Sequence, residues 1–211
     1  MKNLKSNYDI QLDNAKQIFL EYDQDMIIKK FHLQSDDLWI YLTYLNTPCR
    51  INRKTAEIEE YHSNDWLPCS SYVTNMTIYD LLCFPTCEHI PALSGQWCAV
   101  GTFVMTGVQD TTPYTQKYAH LFDGRITGLK EACQSLGGIL QSRMAGADVT
   151  CLINVTSFFP ILLQFWEGDE DFDPKIVVMW DKNTEKFLRF ETTFFLQKDL
   201  LERLKERIYS K

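Results

Sequence analysis

Five carboxylates crowd into seven residues, Glu167, Asp169, Glu170, Asp171 and Asp173, directly after an apolar run that ends in Trp166. A buried strand that empties into carboxylates places them to hold a cation or to act as a general base. The plainer role for such a run is a charged loop that solvates strand ends, with Gly168 making the turn and Pro174 opening the next strand. Phe165, Trp166, Phe172 and Trp180 supply more aromatic surface than a solvated turn needs. The loop is therefore expected to form one wall of a pocket, with Trp97 on the other side. The ligand-binding candidates are Trp97, Trp166, Glu167, Asp169, Glu170 and Asp171.

The second group with chemical capacity is Cys83-x-x-x-Cys87-x-His89, with Cys69 and Cys98 outlying. Thiolate and imidazole donors can close a tetrahedral metal site, but such sites usually show two close cysteine pairs. Here one loose pair flanks a proline, so no stable metal is expected, and Cys83, Cys87 and His89 stand only as candidates for one. Cys83, Cys133 and Cys151 fall on apolar faces, where cysteine commonly serves as a small buried hydrophobe. No Gly-x-Ser-x-Gly elbow, phosphate-binding loop or dinucleotide fingerprint occurs, and none of the four histidines, His32, His62, His89 and His120, lies four residues from another.

The elements that position these residues follow from periodicity. Tyr8, Leu12, Ala15 and Phe19 recur at helical spacing, and a second short helix follows with Asp23 as its cap and Ile27 and Phe31 on one face. From Leu38 the period becomes two, predicting a three-stranded antiparallel meander that runs through Cys49 and Ile51 to Ala56 and Ile58, with Glu57 and Glu59 exposed. Thr77-Ile-Tyr-Asp80 has the pattern of a capping box ahead of a helix that Pro85 stops. Residues 91–107 read as irregular, anchored by Trp97 and Phe103. A helix between Gly124 and Leu136 ends at Gly137-Gly138, one of which takes the left-handed cap. Three strands follow, 149–155, 160–166 and 176–180, the last two apolar on both faces and hence central. Leu196, Leu200, Leu204 and Ile208 mark a C-terminal helix, supported by Asp199 four residues before Arg203. The expected fold class is α+β: a mainly antiparallel sheet with N-terminal helices, a middle helical pair and a C-terminal helix packed on it. No linker or repeat divides residues 1–211, so a single domain is expected.

Composition narrows the function. The 211 residues are 45% hydrophobic and 23% charged, an ordinary globular balance. The net charge of −7, with basic residues scattered, repels phosphate backbones and argues against nucleic acid as a partner. The polar start, the lack of a run of about 18 apolar residues, and an odd count of seven cysteines together predict a cytoplasmic protein that neither enters a membrane nor is exported.

Six separated segments carry a resemblance: Thr77-Ile-Tyr-Asp-Leu-Leu-Cys83, Leu93-Ser-Gly-Gln-Trp-Cys98, Ala132-Cys133 with Leu136-Gly-Gly138, Gln164-Phe-Trp-Glu-Gly-Asp-Glu170, Trp180-Asp-Lys-Asn-Thr184 and Phe190-Glu-Thr-Thr-Phe-Phe195. Together they resemble an uncharacterised family of anaerobic bacteria and archaea, a domain of unknown function, from about Tyr8 to Ile208. Some members are joined or adjacent to a four-cysteine iron-sulfur segment like that of corrinoid and carbon monoxide dehydrogenase proteins. The resemblance thus implies an anaerobic, cofactor-linked setting, although this chain lacks that segment. It also departs at Ala147-Asp148, where the family commonly has Gly-Asp, and at Asp173.

No specific cofactor follows from the sequence. The expectation is a module that binds a small ligand or cofactor. One alternative is an enzyme in which Asp169 or Glu170 acts as base or cation ligand near Cys133 or His89; the other is a protein-interaction domain of a larger complex.

Overall fold

The computed structural model describes residues 6–103 and 112–209, with the side chains of Phe103, Thr112 and Pro113 left out. The side chain of the Phe103 anchor and residues 104–107 of the stretch expected to be irregular therefore lie outside what is described. Chain packing forms two compact units, Met1–Ala92 with Glu185–Leu196, and Leu93–Thr184 with Gln197–Lys211. All strand pairing in both is antiparallel, and the fold class is α+β.

The first unit opens with α1 (Asn7–Glu21) and α2 (Gln24–Phe31). Ser6 and Asp9 close a reciprocal capping box on α1, and the Asp23 carboxylate accepts the N–H groups of Asp25 and Met26 at the start of α2. Five strands follow in sequential order: β1 (Gln34–Ser35), β2 (Trp39–Tyr44), β3 (Thr47–Asn52), β4 (Ile58–His62) and β5 (Asp65–Pro68). The meander thus has two strands more than its periodicity predicts, one at each edge. Leu45-Asn46 and Ser63-Asn64 all have positive φ, as two-residue hairpin turns whose twist matches the strands require. Ala56, expected to resume the alternation, instead sits in the β3–β4 turn at φ 60°.

Ile40, Tyr44, Cys49, Ile51 and Ile58 cover the inner face of this sheet. On the other face the Arg50 guanidinium lies between the rings of Trp39 and Trp66, 4.0 and 4.5 Å from their centroids, and pairs with Glu59 at 2.5 Å.

The next helix, α3 (Tyr72–Cys83), is buried over most of its circumference. It begins one and a half turns before the capping box expected at Thr77. Ser71 accepts the N–H of Thr74 and is the true cap, while Thr77 is interior and returns its hydroxyl to the Val73 carbonyl at 2.7 Å. Asp80, expected to serve that box, instead accepts the Arg189 N–H (2.7 Å), the Arg189 guanidinium (2.5 Å) and the Thr192 hydroxyl (2.7 Å). A carboxylate buried among apolar side chains needs this full set of donors.

In the second unit, β6 (Trp97–Ala99), α4 (Thr112–Phe122), α5 (Ile126–Ser135), β7 (Gly138–Leu140), β8 (Val149–Thr156), β9 (Phe159–Trp166) and β10 (Lys175–Asp181) build a sheet of order β6-β10-β9-β8-β7. As expected, β9 is central and buried on both faces. In β10 only the face of Ile176, Val178 and Trp180 is fully covered; Val177 and Met179 are half-buried. The C-terminal helix α6 (Phe190–Tyr209) gives its residues up to Leu196 to the first unit and the rest to the second, where Arg203 pairs with Asp199 at 3.0 Å.

Gly137 takes the left-handed conformation after α5 (φ 78°), as expected of this glycine pair. Gly138 serves a different need: a Cβ there would lie 2.5 Å from Cys151 Sγ and 2.6 Å from the Cys133 carbonyl oxygen. Gly138→Ala is therefore expected to destabilise the protein by about 1–3 kcal/mol, since both neighbours are buried and one is backbone. An unchanged denaturant midpoint would show that the edge strand moves aside freely.

Candidate functional site

Where α3 stops at Pro85, the chain enters an irregular loop, and it is this loop that shapes a cavity of about 590 Å³ in the first unit. Phe84, Ile90 and Pro91 give it apolar walls, and Thr86, Cys87, Glu88 and His89 line it from the same loop. Glu185 and Lys186 complete the lining.

Two cations hold the loop in place. The Lys30 side chain, 7% exposed, reaches across to donate to the Pro85 carbonyl oxygen. Burial lowers its pKa, an effect that nearby Cys87 and Cys83 partly offset. The Arg189 guanidinium lies 5.2 Å from the centroid of the Phe84 ring while it pairs with Asp80. Within the loop, the Cys87 thiol donates to the His89 carbonyl oxygen at 3.0 Å, which closes the turn between them.

The three metal-ligand candidates are thereby separated by environment. Cys87 and His89 are exposed and line the cavity. Cys83 does not line it; burial first, and the neighbouring Asp80 second, push its thiol up to about 12, so it stays protonated at neutral pH and is a poor ligand or nucleophile. Among the described residues, no group of three or more His, Cys, Asp or Glu side chains is arranged to hold a metal ion.

The acidic loop and its aromatic neighbours occupy the second unit. Asp169 is used by its own turn: its carboxylate accepts the N–H groups of Asp171 and Phe172, both at 2.8 Å, and its N–H donates to the Phe172 carbonyl oxygen. Gly168 donates its N–H to Asp123 at 2.9 Å, and a side chain there would meet Pro174 at 2.8 Å. The Glu167 N–H goes to the Asp148 carboxylate at 3.0 Å. Glu170 and Asp171 are exposed, and Phe172 is 73% exposed.

Trp166 is half-buried, its indole N–H donating to the Ala145 carbonyl oxygen at 3.2 Å and the Lys175 ammonium lying 5.5 Å from the centroid of its ring. Trp97 is not beside it. The register pairs Trp166 with Lys175 and Trp97 with Asp181, at opposite ends of β10. Six residues of strand put about 20 Å between them. Cys133, the thiol placed near the acidic loop in the enzymatic alternative, is wholly buried against Cys151.

The residues that hold the Phe84–Pro91 loop, Lys30 and Arg189, carried no local signal in the sequence, and the signal at Asp80 pointed to a helix cap. Lys30 and Pro85 are 55 residues apart, and Asp80 and Arg189 are 109 apart.

Among the described residues, no helix is long and apolar enough to cross a membrane. No curated protein and no solved structure matches the chain. The family model described as Domain of unknown function (DUF3786) matches residues 23–203, and the chain belongs to that family.

Proposed function

We propose that this chain is a small-ligand-binding module whose ligand sits in the cavity formed by the Phe84–Pro91 loop with Glu185 and Lys186. One observation carries the reading: a space of about 590 Å³ lined by Phe84, Ile90 and Pro91 together with residues bearing a thiol, an imidazole, carboxylates and an ammonium. That volume and mixture match small-molecule sites in general, where apolar area supplies affinity and a few polar groups fix orientation. Lys30 and Arg189 hold the loop through contacts within the protein, which limits the ordering cost of binding.

The setting is the reducing interior of an anaerobic cell. All seven cysteines are free thiols, which suits such a compartment. A small molecule is the partner this site favours over nucleic acid, since the protein carries seven excess negative charges.

The test is a ligand-observed NMR screen of small aromatic and heterocyclic fragments against the intact chain, repeated with Ile90→Trp, which fills the cavity, and His89→Ala. Fragments are expected to bind the unmodified protein, to be lost in Ile90→Trp, and to weaken by about tenfold in His89→Ala through one lost polar contact. Binding that persists unchanged in Ile90→Trp, or no binding to the unmodified chain, overturns the assignment.

A further inference from the structure

We infer a second site, in the other unit, that takes a small oxyanion of the carboxylate or phosphate class. It is a cavity of about 360 Å³ between α5, which contributes Ile126 and Lys130, the end of β7 at Leu140, and the following loop with Gln141, Arg143 and Asp148. Its position is independent of the cavity in the first unit.

The charges around it do not cancel. Arg143 donates to one oxygen of Asp148, and the Glu167 N–H reaches the other at 3.0 Å. These same contacts, the Glu167 N–H foremost, hold the Asp148 carboxyl below the usual carboxylate range against the effect of burial, so it is ionised and fully engaged. Lys130 is half-buried and close enough to act on Asp148 through space, yet it forms no ion pair among the described residues. With Arg143 and Asp148 neutralising each other, the lining retains one positive charge in a chain whose net charge is −7. Ile126 and Leu140 give the hollow apolar surface beside that ammonium, which draws an anion to it.

The loop that carries Arg143 is braced by side chains of the protein itself. The carbonyl oxygens of Met144, Ala145 and Ala147 accept from Gln164 Nε2 (3.3 Å), Trp166 Nε1 (3.2 Å) and Arg143 Nε (3.2 Å). Three side chains therefore fix the loop backbone that carries Arg143, including the left-handed residues Ala145 and Gly146. Trp166, one of the aromatic residues singled out in the sequence, thus braces this loop. The volume is at the low end for ligand sites, which restricts the occupant to a small molecule with a single anionic group and a short apolar part.

The test is a titration of the isotope-labelled full chain with inorganic phosphate and, separately, with butyrate, at ionic strength matched by sodium chloride and read by amide shifts. Saturable shifts at Gln141 and Asp148 are expected. Lys130→Gln should weaken binding by about tenfold or more, whereas Lys130→Arg stays within about threefold because the charge is kept. Lys198→Gln, at an exposed lysine elsewhere in the unit, should bind as the unmodified protein does. Saturation by phosphate alone assigns a phosphate-bearing ligand, and by butyrate alone a carboxylate. If Lys130→Gln loses its native spectrum, Leu140→Trp, which narrows the cavity from the edge strand, carries the same expectation. Shifts that do not saturate, that chloride reproduces, or that survive both variants overturn the site.

Discussion

Replacing Trp180 with alanine is expected to cost about 3–5 kcal/mol of stability, the range for a large aromatic side chain removed from a packed core. Trp180 is the largest of the fully buried side chains, at 0% exposure, and stands on β10 between β9 and β6. Its indole N–H has no hydrogen-bond partner among the described residues, so packing among them holds it. The contrast with Trp180→Phe follows from this: phenylalanine keeps most of the contact area and removes the unpaired donor, so it should cost clearly less than alanine. Denaturant unfolding followed by far-ultraviolet circular dichroism measures both. An alanine variant with an unchanged midpoint would show that the core of the second unit closes without this residue.

A loss of about 2–3 kcal/mol is expected for Asp181→Ala, which removes a buried carboxylate and with it the acceptor of four part-buried hydrogen bonds. The Asp181 carboxylate, on a residue 1% exposed, accepts the N–H groups of Ser94 (3.0 Å), Gly95 (2.8 Å) and Asn183 (2.8 Å) and the Ser94 hydroxyl (3.0 Å). It thereby ties Leu93-Ser-Gly-Gln-Trp-Cys98 to Trp180-Asp-Lys-Asn-Thr184, two of the segments shared with the family.

The same contacts set a pH dependence. Burial alone would raise this pKa; the N–H donors of Ser94, Asn183 and Gly95 outweigh it and the folded-state value lies below the ordinary one. A depressed carboxyl pKa contributes stability that is complete above the unfolded value, about 3.9, and is lost as pH falls through the folded value. Stability of the unmodified protein should therefore decline below about pH 4, and Asp181→Asn should decline less steeply over that window. Equal slopes would remove Asp181 from the acid response.

Local structure was legible wherever it depended on neighbours in sequence. Ser6 with Asp9, and Asp23, cap their helices because a side-chain oxygen two or three residues before an N–H reaches it without help from the rest of the chain. The alternation of 149–155 and the apolar run to Trp166 gave β8 and β9 directly, since one face or both must be covered. Even there, a competing local pattern misled: Thr77 and Asp80 satisfy the capping-box template, yet Ser71 starts the helix and Asp80 serves Arg189 and Thr192. A buried carboxylate takes the strongest donors that folding brings to it, and those came from 109 residues away.

The candidate sites divide along the same line. Residue chemistry alone drew attention to Cys83, Cys87 and His89, and to the acidic loop beside Trp166. Only the tertiary structure decided that Cys87 and His89 share a cavity while Cys83 stays protonated outside its lining, that Asp169 is spent on its own turn, and that strand register puts Trp97 at the far end of β10 from Trp166. The physical reason is that a side chain's type is a local property, whereas its burial, its partners and its electrostatic surroundings are set by groups distant in sequence. The family, the α+β class and the helix caps are written in the order of residues; the cavities, and the lysines and arginines that frame them, exist only once the chain has closed on itself.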